Sequence, residues 1–134
     1  MKKTILIIVL CLVLSTFASS GCRAEYRAEE AYLLARAAES MAGGEGYVLL
    51  LAVSSVFVNR VKSEFYPDSL SAVIADAGIV PRPDEPSAEA LRAAADALKG
   101  SDPTSGALQY SHNGNSGKRA YHGIKLGVGE WIFY

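Results

Sequence analysis

The sequence predicts a mainly helical α+β domain with a buried central helix and a small C-terminal β-sheet. The run from Tyr47 to Val61 is apolar almost all round, with four polar residues among fifteen. A helix apolar on every side is a core helix or a membrane span, and this run falls short of the roughly 20 residues that a span needs. Glycines separate the helical stretches, and strand-like stretches rich in aromatic rings fill the last third.

A first helix precedes the central run and ends at a glycine pair. Leu33, Ala37 and Met41 recur at i, i+4 and i+8, which places them on one face of a helix. Gly43-Gly44 stops this helix, because glycine adopts the positive φ that a helix end requires. Glu45 follows at the mouth of the buried helix. Its carboxylate is therefore either a candidate acid for catalysis or a solvated loop side chain.

Residues 1–21 have the pattern of an export signal. Two lysines precede an apolar stretch from Ile5 to Leu14, and small residues follow it. A glycine followed by Cys22 resembles a bacterial lipoprotein cleavage site, at which Cys22 is acylated and anchors the protein to a membrane. The alternative is cleavage after Ser20 by an ordinary signal peptidase. Both alternatives predict an exported protein of the cell envelope.

Removal of the signal leaves a tether over residues 22–32 and one domain over residues 33–134. The mature chain has 11 basic and 14 acidic residues, because the signal contains two of the 13 basic residues and no acid. This net charge of −3 provides no electrostatic footprint for nucleic acid. Neither HExxH nor a paired-cysteine spacing occurs, so no metal is expected. We expect no cofactor, since the sequence has no P-loop and no dinucleotide fingerprint.

Two shorter helices follow the central one. The first spans Leu70 to Ala77 after a cap at Asp68 or Ser69, and the second spans Ala88 to Lys99 after a serine cap. The polar stretch Ile79 to Pro86 between them contains three prolines. It is predicted to be a loop that borders a groove.

The C-terminal third predicts three strands. They cover Ala107 to Ser111, Ala120 to Leu126 and Glu130 to Tyr134, and the last two flank a turn at Gly127-Val128-Gly129. Flat rings with polar tips are concentrated in and beside these strands. Such rings either line a sugar-binding groove or pack a small sheet, and the sequence leaves both open. The candidate substrate-binding residues are Tyr110, Tyr121, His122 and Trp131.

Two segments are specific enough to suggest a family. The central helix ends in N-R-V-K, at Asn59 to Lys62, and the segment Ala97 to Leu108 reads A-L-x-G-x-D-P-T-x-G-A-L. With these segments, the chain from about Leu33 onward resembles the cell wall hydrolases of the spore cortex-lytic (SleB) type. Further residues of the resemblance are Tyr47, Ala52-Val53, Val56, Pro67, Ala93-Ala94, Asp96, Gly129 and Phe133.

The resemblance implies a lysozyme-like helical domain that acts on the glycan strands of peptidoglycan. Members of this type resemble lytic transglycosylases. One carboxylic acid protonates the glycosidic oxygen, and the muramic 6-hydroxyl then attacks to leave an anhydro end. Such an acid must be neutral when substrate arrives, so we expect an apolar setting that raises its pKa.

The chain departs from the family pattern at the expected acid. The usual E-A-R-G-E-x-Y reads M-A-G-G-E-G-Y here, from Met41 to Tyr47. The first glutamate therefore falls on Met41, which cannot donate a proton, and the second falls on Glu45. Glu45 is the candidate catalytic residue, with Glu39 as the alternative. A structural role for Glu45, in which it bonds backbone amides of the glycine turn, is the other interpretation.

Three functions follow from the sequence. The first is an active peptidoglycan hydrolase that cleaves glycosidic bonds. The second is a catalytically impaired relative that binds peptidoglycan, because the acid position is Met41. The third is an envelope lipoprotein whose domain is structural.

Overall fold

The computed structural model describes residues 28–112, 123 and 125–134. From Ala31 to Tyr134 the chain forms one compact unit. Within the described part, no single helix is long and apolar enough to cross a membrane. The pair Ala28–Ala42 and Tyr47–Lys62 passes that test only jointly, with a bend of 119° at the break. The predicted signal and Cys22 lie outside the described residues.

Helix α1 spans Ala28–Ala42 and begins inside the predicted tether. Residues 28–32 are helical rather than extended, because alanine and glutamate favour helix. The fully buried face of α1 contains Leu34, Ala38 and Ala42, again at i, i+4 and i+8. Ala37 of the predicted stripe is also fully buried, whereas Leu33 and Met41 are partly buried and pack at the edge of the core.

The predicted glycine break between the first two helices is confirmed. Gly44 and Gly46 have φ values of 86° and 92°, which L side chains rarely adopt. Gly43 differs from them, because a Cβ atom there would lie 2.7 Å from the carbonyl oxygen of Glu39, so any other residue would require a local shift. In this chain the glycines allow the bend of 119° between the two helices within four residues.

Helix α2 spans Tyr47–Lys62 and is the predicted buried core helix. Its side chains are buried around most of its circumference, including Leu50, Val53 and Phe57, which have at most 1% exposure. The Ser55 hydroxyl lies 2.8 Å from the carbonyl oxygen of Leu51, one turn earlier, and 3.0 Å from that of Ser101, and it can donate its proton to either. A serine thus fits in the apolar interior because backbone oxygens satisfy its hydroxyl.

Two short helices pack against α2. Helix α3 spans Leu70–Asp76 and helix α4 spans Ala88–Leu98. Ser69, not Asp68, caps α3 by accepting from the Ala72 amide at 3.4 Å, and Ser87 caps α4 in the same way. The face that α4 turns to the core consists of alanines, so the two helix backbones can approach closely. These alanines are Ala90, Ala93, Ala94 and Ala97.

A three-stranded antiparallel sheet closes the domain. Strand β1 spans Tyr110–His112, β2 spans Leu126–Val128 and β3 spans Trp131–Phe133, in the order β1-β3-β2. Phe133 pairs with Tyr110 on one side and with Leu126 on the other. The mainly helical α+β fold is therefore as predicted.

The strand boundaries differ from the predicted ones. The turn between the last two strands lies at Gly129-Glu130 rather than at residues 127–129, because Gly129 has the positive φ of 57° while Gly127 pairs with Ile132. Strand β2 therefore extends through Val128. The predicted strand over residues 120–126 falls largely outside the described residues.

Candidate functional site

Glu45 lies in the turn between α1 and α2, two residues before α2 begins. Its backbone amide donates to the carbonyl of Ala42 at 3.3 Å, and its side chain is exposed. The carboxylate makes no hydrogen bond or ion pair with any residue that the structure describes, including the amides of the glycine turn. This open position differs from the apolar setting expected of a neutral acid.

Met41 occupies the last turn of α1, directly before the same break. Its side chain is partly buried and packs against the core cluster. The position at which the family pattern has its first glutamate is therefore filled by an apolar side chain in contact with the interior. The native side chain at this point of α1 therefore offers no proton to a substrate.

Glu39, the alternative acid, is engaged in a structural contact. Its Oε1 atom accepts a hydrogen bond from the backbone amide of Ser87 at 3.0 Å. Ser87 is the N-cap residue of α4, so Glu39 ties the start of α4 to α1. This contact holds the Glu39 carboxyl group against the start of α4, whereas Glu45 is free of any comparable contact among the described residues.

Tyr47, the first residue of α2, is anchored to α4. Its hydroxyl donates to Asp96 Oδ2 at 2.7 Å, and the guanidinium of Arg92 lies 5.0 Å from the centre of its ring. The pKa of Tyr47 is raised, first by this hydrogen bond and then by desolvation and the charge of Asp96. Arg92 and Lys99 contact Asp96 at 3.8 and 4.0 Å. This cluster fixes the end of the turn that carries Glu45.

The most specific sequence motif forms a hydrogen-bonded junction around Asp102. Its Oδ1 atom accepts from the amide and the hydroxyl of Thr104, at 2.8 and 2.6 Å. Its Oδ2 atom accepts from Asn59 Nδ2 at 2.9 Å and from the Gly106 amide at 2.7 Å. Burial alone would raise the pKa of Asp102, but these hydrogen bonds outweigh it and hold the pKa below its usual range.

Arg60, from the N-R-V-K motif, connects α2 to the sheet. It is 7% exposed, and its Nε donates to the carbonyl of Leu108 at 2.8 Å. The guanidinium lies 5.0 Å from the ring centre of Tyr66 and 5.4 Å from that of Tyr110. The motif residues Asn59, Arg60 and Asp102 therefore join the central helix to the C-terminal segment and serve the fold.

The candidate substrate-binding rings are placed differently from one another. Trp131 is buried, with 3% exposure, and its ring centre lies 4.6 Å from that of His112 and 5.9 Å from that of Tyr110. This burial favours the alternative in which Trp131 packs the sheet. Tyr110 is half-buried, and burial raises its pKa. Tyr121 and His122 lie outside the described residues.

Comparison with known proteins decides the family. The model of the cell wall hydrolase family matches residues 44–134, more than half of the chain. The chain belongs to the cell wall hydrolase family. The predicted resemblance is thus confirmed, and at the family level this is a class of peptidoglycan-cleaving enzymes. The match begins at Gly44, directly before Glu45, and Met41 lies outside it.

Known members of the family support the same conclusion. A spore cortex-lytic enzyme of Halalkalibacterium halodurans is 41% identical over 96 residues, which cover 65% of this chain and 28% of that enzyme. The chain therefore spans little more than a quarter of the length of this curated relative, 28%. The catalytic domain of the Bacillus cereus SleB protein matches with a TM-score of 0.65 and 31% identity, covering 78% of this chain and 88% of that domain.

A second solved structure gives the same result. It is the catalytic domain of the germination-specific lytic transglycosylase SleB from Bacillus anthracis. It matches with a TM-score of 0.64 and 30% identity, and the alignment covers 78% of this cell wall hydrolase and 92% of that domain.

Sequence reasoning missed two features of this region. The ties between Tyr47 and Asp96 and between Glu39 and Ser87 join residues nearly 50 positions apart. Such pairs have no periodicity that a single sequence reveals. The only available signal was that Tyr47 and Asp96 both belong to the resemblance with the family.

Proposed function

We propose that this chain cleaves the glycan strands of peptidoglycan in the manner of a lytic transglycosylase. The observation that carries the proposal is the fold shared with two solved SleB catalytic domains over 88% and 92% of their lengths. Identities of 31% and 30% accompany that agreement. A domain of this extent in a hydrolase family supports cleavage of a glycosidic bond.

Glu45 is the proposed catalytic acid. In its neutral form the carboxyl group donates its proton to the glycosidic oxygen, and the bond from that oxygen to C1 of the muramic residue breaks. The muramic 6-hydroxyl oxygen then bonds to C1, and its proton passes to the Glu45 carboxylate. The step forms a 1,6-anhydro end, consumes no water and returns Glu45 to its starting form.

The exposed position of Glu45 and its lack of a hydrogen bond to described residues favour it over Glu39 as the catalytic acid. Glu45 is exposed at the N-terminal end of the central helix, whereas Glu39 accepts a hydrogen bond from the backbone of Ser87. A bound glycan strand would cover Glu45, exclude water and supply the less polar surroundings that favour the neutral acid. Loss of this group should lower the rate by the roughly 10²–10⁴-fold typical of general acid catalysis.

A second candidate function is peptidoglycan binding without cleavage. Met41 favours it, because an apolar side chain stands at the expected acid position and packs against the core. In that case the Glu45 carboxylate contributes nothing to chemistry, and the glycan-binding surface remains.

Mass spectrometry of products from purified sacculi tests the proposal. The parent protein is expected to release anhydromuropeptides, and Glu45→Gln is expected to release none above background while it still binds sacculi. Glu64→Gln is the matched control, because Glu64 is an exposed glutamate at the other end of α2. If the parent is inert and Met41→Glu gains activity, the binding function replaces the proposed one.

We also propose export and a lipid anchor on Cys22, which would place the domain beside its substrate in the cell envelope. A single acyl chain binds a membrane only weakly, so stable attachment requires more than one. Membrane fractionation and mass spectrometry of the parent and Cys22→Ser test this. Release of Cys22→Ser into the soluble fraction is the expected result, and identical partitioning of both proteins would support simple secretion instead.

A further inference from the structure

The loop over residues 79–86 is fastened to α1 through the backbone of Arg82. The Arg82 amide donates to Ser40 Oγ at 2.9 Å, and its carbonyl accepts from Nε of Arg36. The Ser40 hydroxyl lies 2.8 Å from the carbonyl oxygen of Arg36, one turn earlier, and 3.1 Å from that of Val80, and it can donate its proton to either. Both backbone groups of Arg82 are therefore held, so the start of its side chain has a fixed position relative to α1.

This attachment brings the guanidinium of Arg82 to the turn that carries Glu45. Its Nη1 atom lies 3.9 Å from the position that a Cβ atom on Gly43 would occupy. Gly43 has no side chain, and it precedes Glu45 by two residues. Arg82 is itself exposed, so its cationic group lies at the turn that precedes the candidate acid and is accessible to solvent.

Arg82 makes no ion pair with any carboxylate of the described residues. Asp84 and Glu85 follow it in the same loop and are exposed, and neither lies within ion-pair distance of its guanidinium. The chain as a whole carries a net charge of −1, which does not attract an anionic polymer. A held but unpaired guanidinium at this point therefore offers a local site for an anion. Its planar donor fork fits a carboxylate with two parallel hydrogen bonds.

We propose that Arg82 is a specificity-determining residue that binds carboxylate groups of the peptides attached to muramic acid. The inference rests on the proposed function, in which Glu45 acts on the neighbouring glycosidic bond. In a peptide-substituted strand the sugar backbone is neutral, because the lactyl carboxyl of each muramic residue forms the amide bond to the peptide, whereas the peptides carry free carboxylates. Arg82 would thus favour strands whose peptides keep free carboxylates and would set their register against Glu45.

Binding to two forms of the same soluble glycan strands tests the proposal. One form is native, and in the other the peptide carboxylates are converted to amides. All proteins carry Glu45→Gln, so that no strand is cleaved during the measurement. Arg82→Gln should bind native strands about three- to tenfold more weakly and amidated strands unchanged. Arg82→Lys should recover part of the loss, because it restores the charge without the planar fork.

Two further variants test whether the position of the Arg82 guanidinium matters in addition to its positive charge. Lys62→Gln removes an exposed cation from the far end of α2 and should leave binding to both forms unchanged. Ser40→Ala keeps every charge but removes the hydroxyl that holds the Arg82 amide. It should weaken binding to native strands in the same direction as Arg82→Gln, by a smaller factor.

Three outcomes would overturn the inference. They are equal losses on native and amidated strands, equal effects of Lys62→Gln and Arg82→Gln, and absence of binding by the protein with an intact Arg82. A different result would contradict the proposed function. In that result, the protein with its native Glu45 releases no anhydro products, although it shows Arg82-dependent binding. The binding measurement needs no catalysis, so the two failures are distinguishable.

Discussion

The Glu45 turn and the Asp102 junction use carboxylates in opposite ways. The side chain of Glu45 is exposed and contacts no described residue through a hydrogen bond, whereas both oxygens of Asp102 accept two hydrogen bonds each. The turn is shaped by glycines with positive φ, and the junction by side chains that satisfy one another. The Glu45 turn therefore leaves its carboxylate available to a ligand, whereas the Asp102 junction uses its carboxylate to stabilise the fold.

This difference shows that the sequence motif most specific to a family need not contain the candidate catalytic residue. The N-R-V-K and D-P-T segments identify the family, and their polar residues connect α2 to the sheet. The segment that differs from the family pattern, Met41 to Tyr47, is where the candidate acid lies. Stability and catalysis are therefore expected to respond to different substitutions.

Asp102→Asn should give the largest loss of stability. An amide nitrogen in place of Oδ2 faces two donors, Asn59 Nδ2 and the Gly106 amide. In place of Oδ1 it faces the Thr104 amide, so in either orientation hydrogen bonds to the charged carboxylate are lost and at least one donor is left unpaired. We expect a cost of about 2–3 kcal/mol, equivalent to a melting temperature lower by about 10–15 °C. Thermal denaturation measures this. Asp68→Asn, at an exposed aspartate beside α3, should melt like the parent, and equal melting of both variants would remove the distinction between junction and surface.

The pH dependence of stability should follow the same carboxylate. The pKa of Asp102 is lower in the folded protein than the ordinary value of 3.8, so its stabilising effect is full above that value. The effect is lost as pH falls through the folded pKa. The difference in melting temperature between the parent and Asp102→Asn should thus be constant at neutral pH and shrink below about pH 4. A difference that persists in stronger acid would contradict the role of the ionised carboxylate.

Tyr47→Phe should lower stability by less than Asp102→Asn and should act on the Glu45 turn. It removes the hydroxyl that donates to Asp96 and keeps the ring under Arg92. A melting temperature lower by a few degrees is expected, together with a loss of product release larger than the loss of stability explains, because Tyr47 fixes the turn. Tyr32→Phe, at an exposed ring on α1, is the control and should change neither quantity.

The sequence predicted the elements whose signal is local. The apolar run in α2, the glycine break and the serine caps each depend on neighbouring residues, and each is present in the structure. The start of α1 differed because a charged segment has the composition of a tether as well as of an exposed helix. The turn before β3 differed because two glycines offered equivalent sites and only strand pairing chose between them.

The candidate site depended on contacts that no local pattern contains. The engagement of Glu39 with Ser87 and the attachment of Arg82 to Ser40 both join α1 to residues more than 40 positions later. The burial of Trp131 likewise follows from its place on the central strand, between His112 and Val128. Residue types alone could nominate these side chains but could not separate a structural role from a functional one.

The most direct test compares Glu45→Gln and Asp102→Asn by melting temperature and by release of anhydromuropeptides per folded molecule. Exposed substitutions usually change stability by less than about 0.5 kcal/mol, so Glu45→Gln should melt like the parent and release no product. Asp102→Asn should melt lower and, at a temperature where it is folded, release product within about tenfold of the parent rate. Product release by Glu45→Gln at the parent rate would contradict the account.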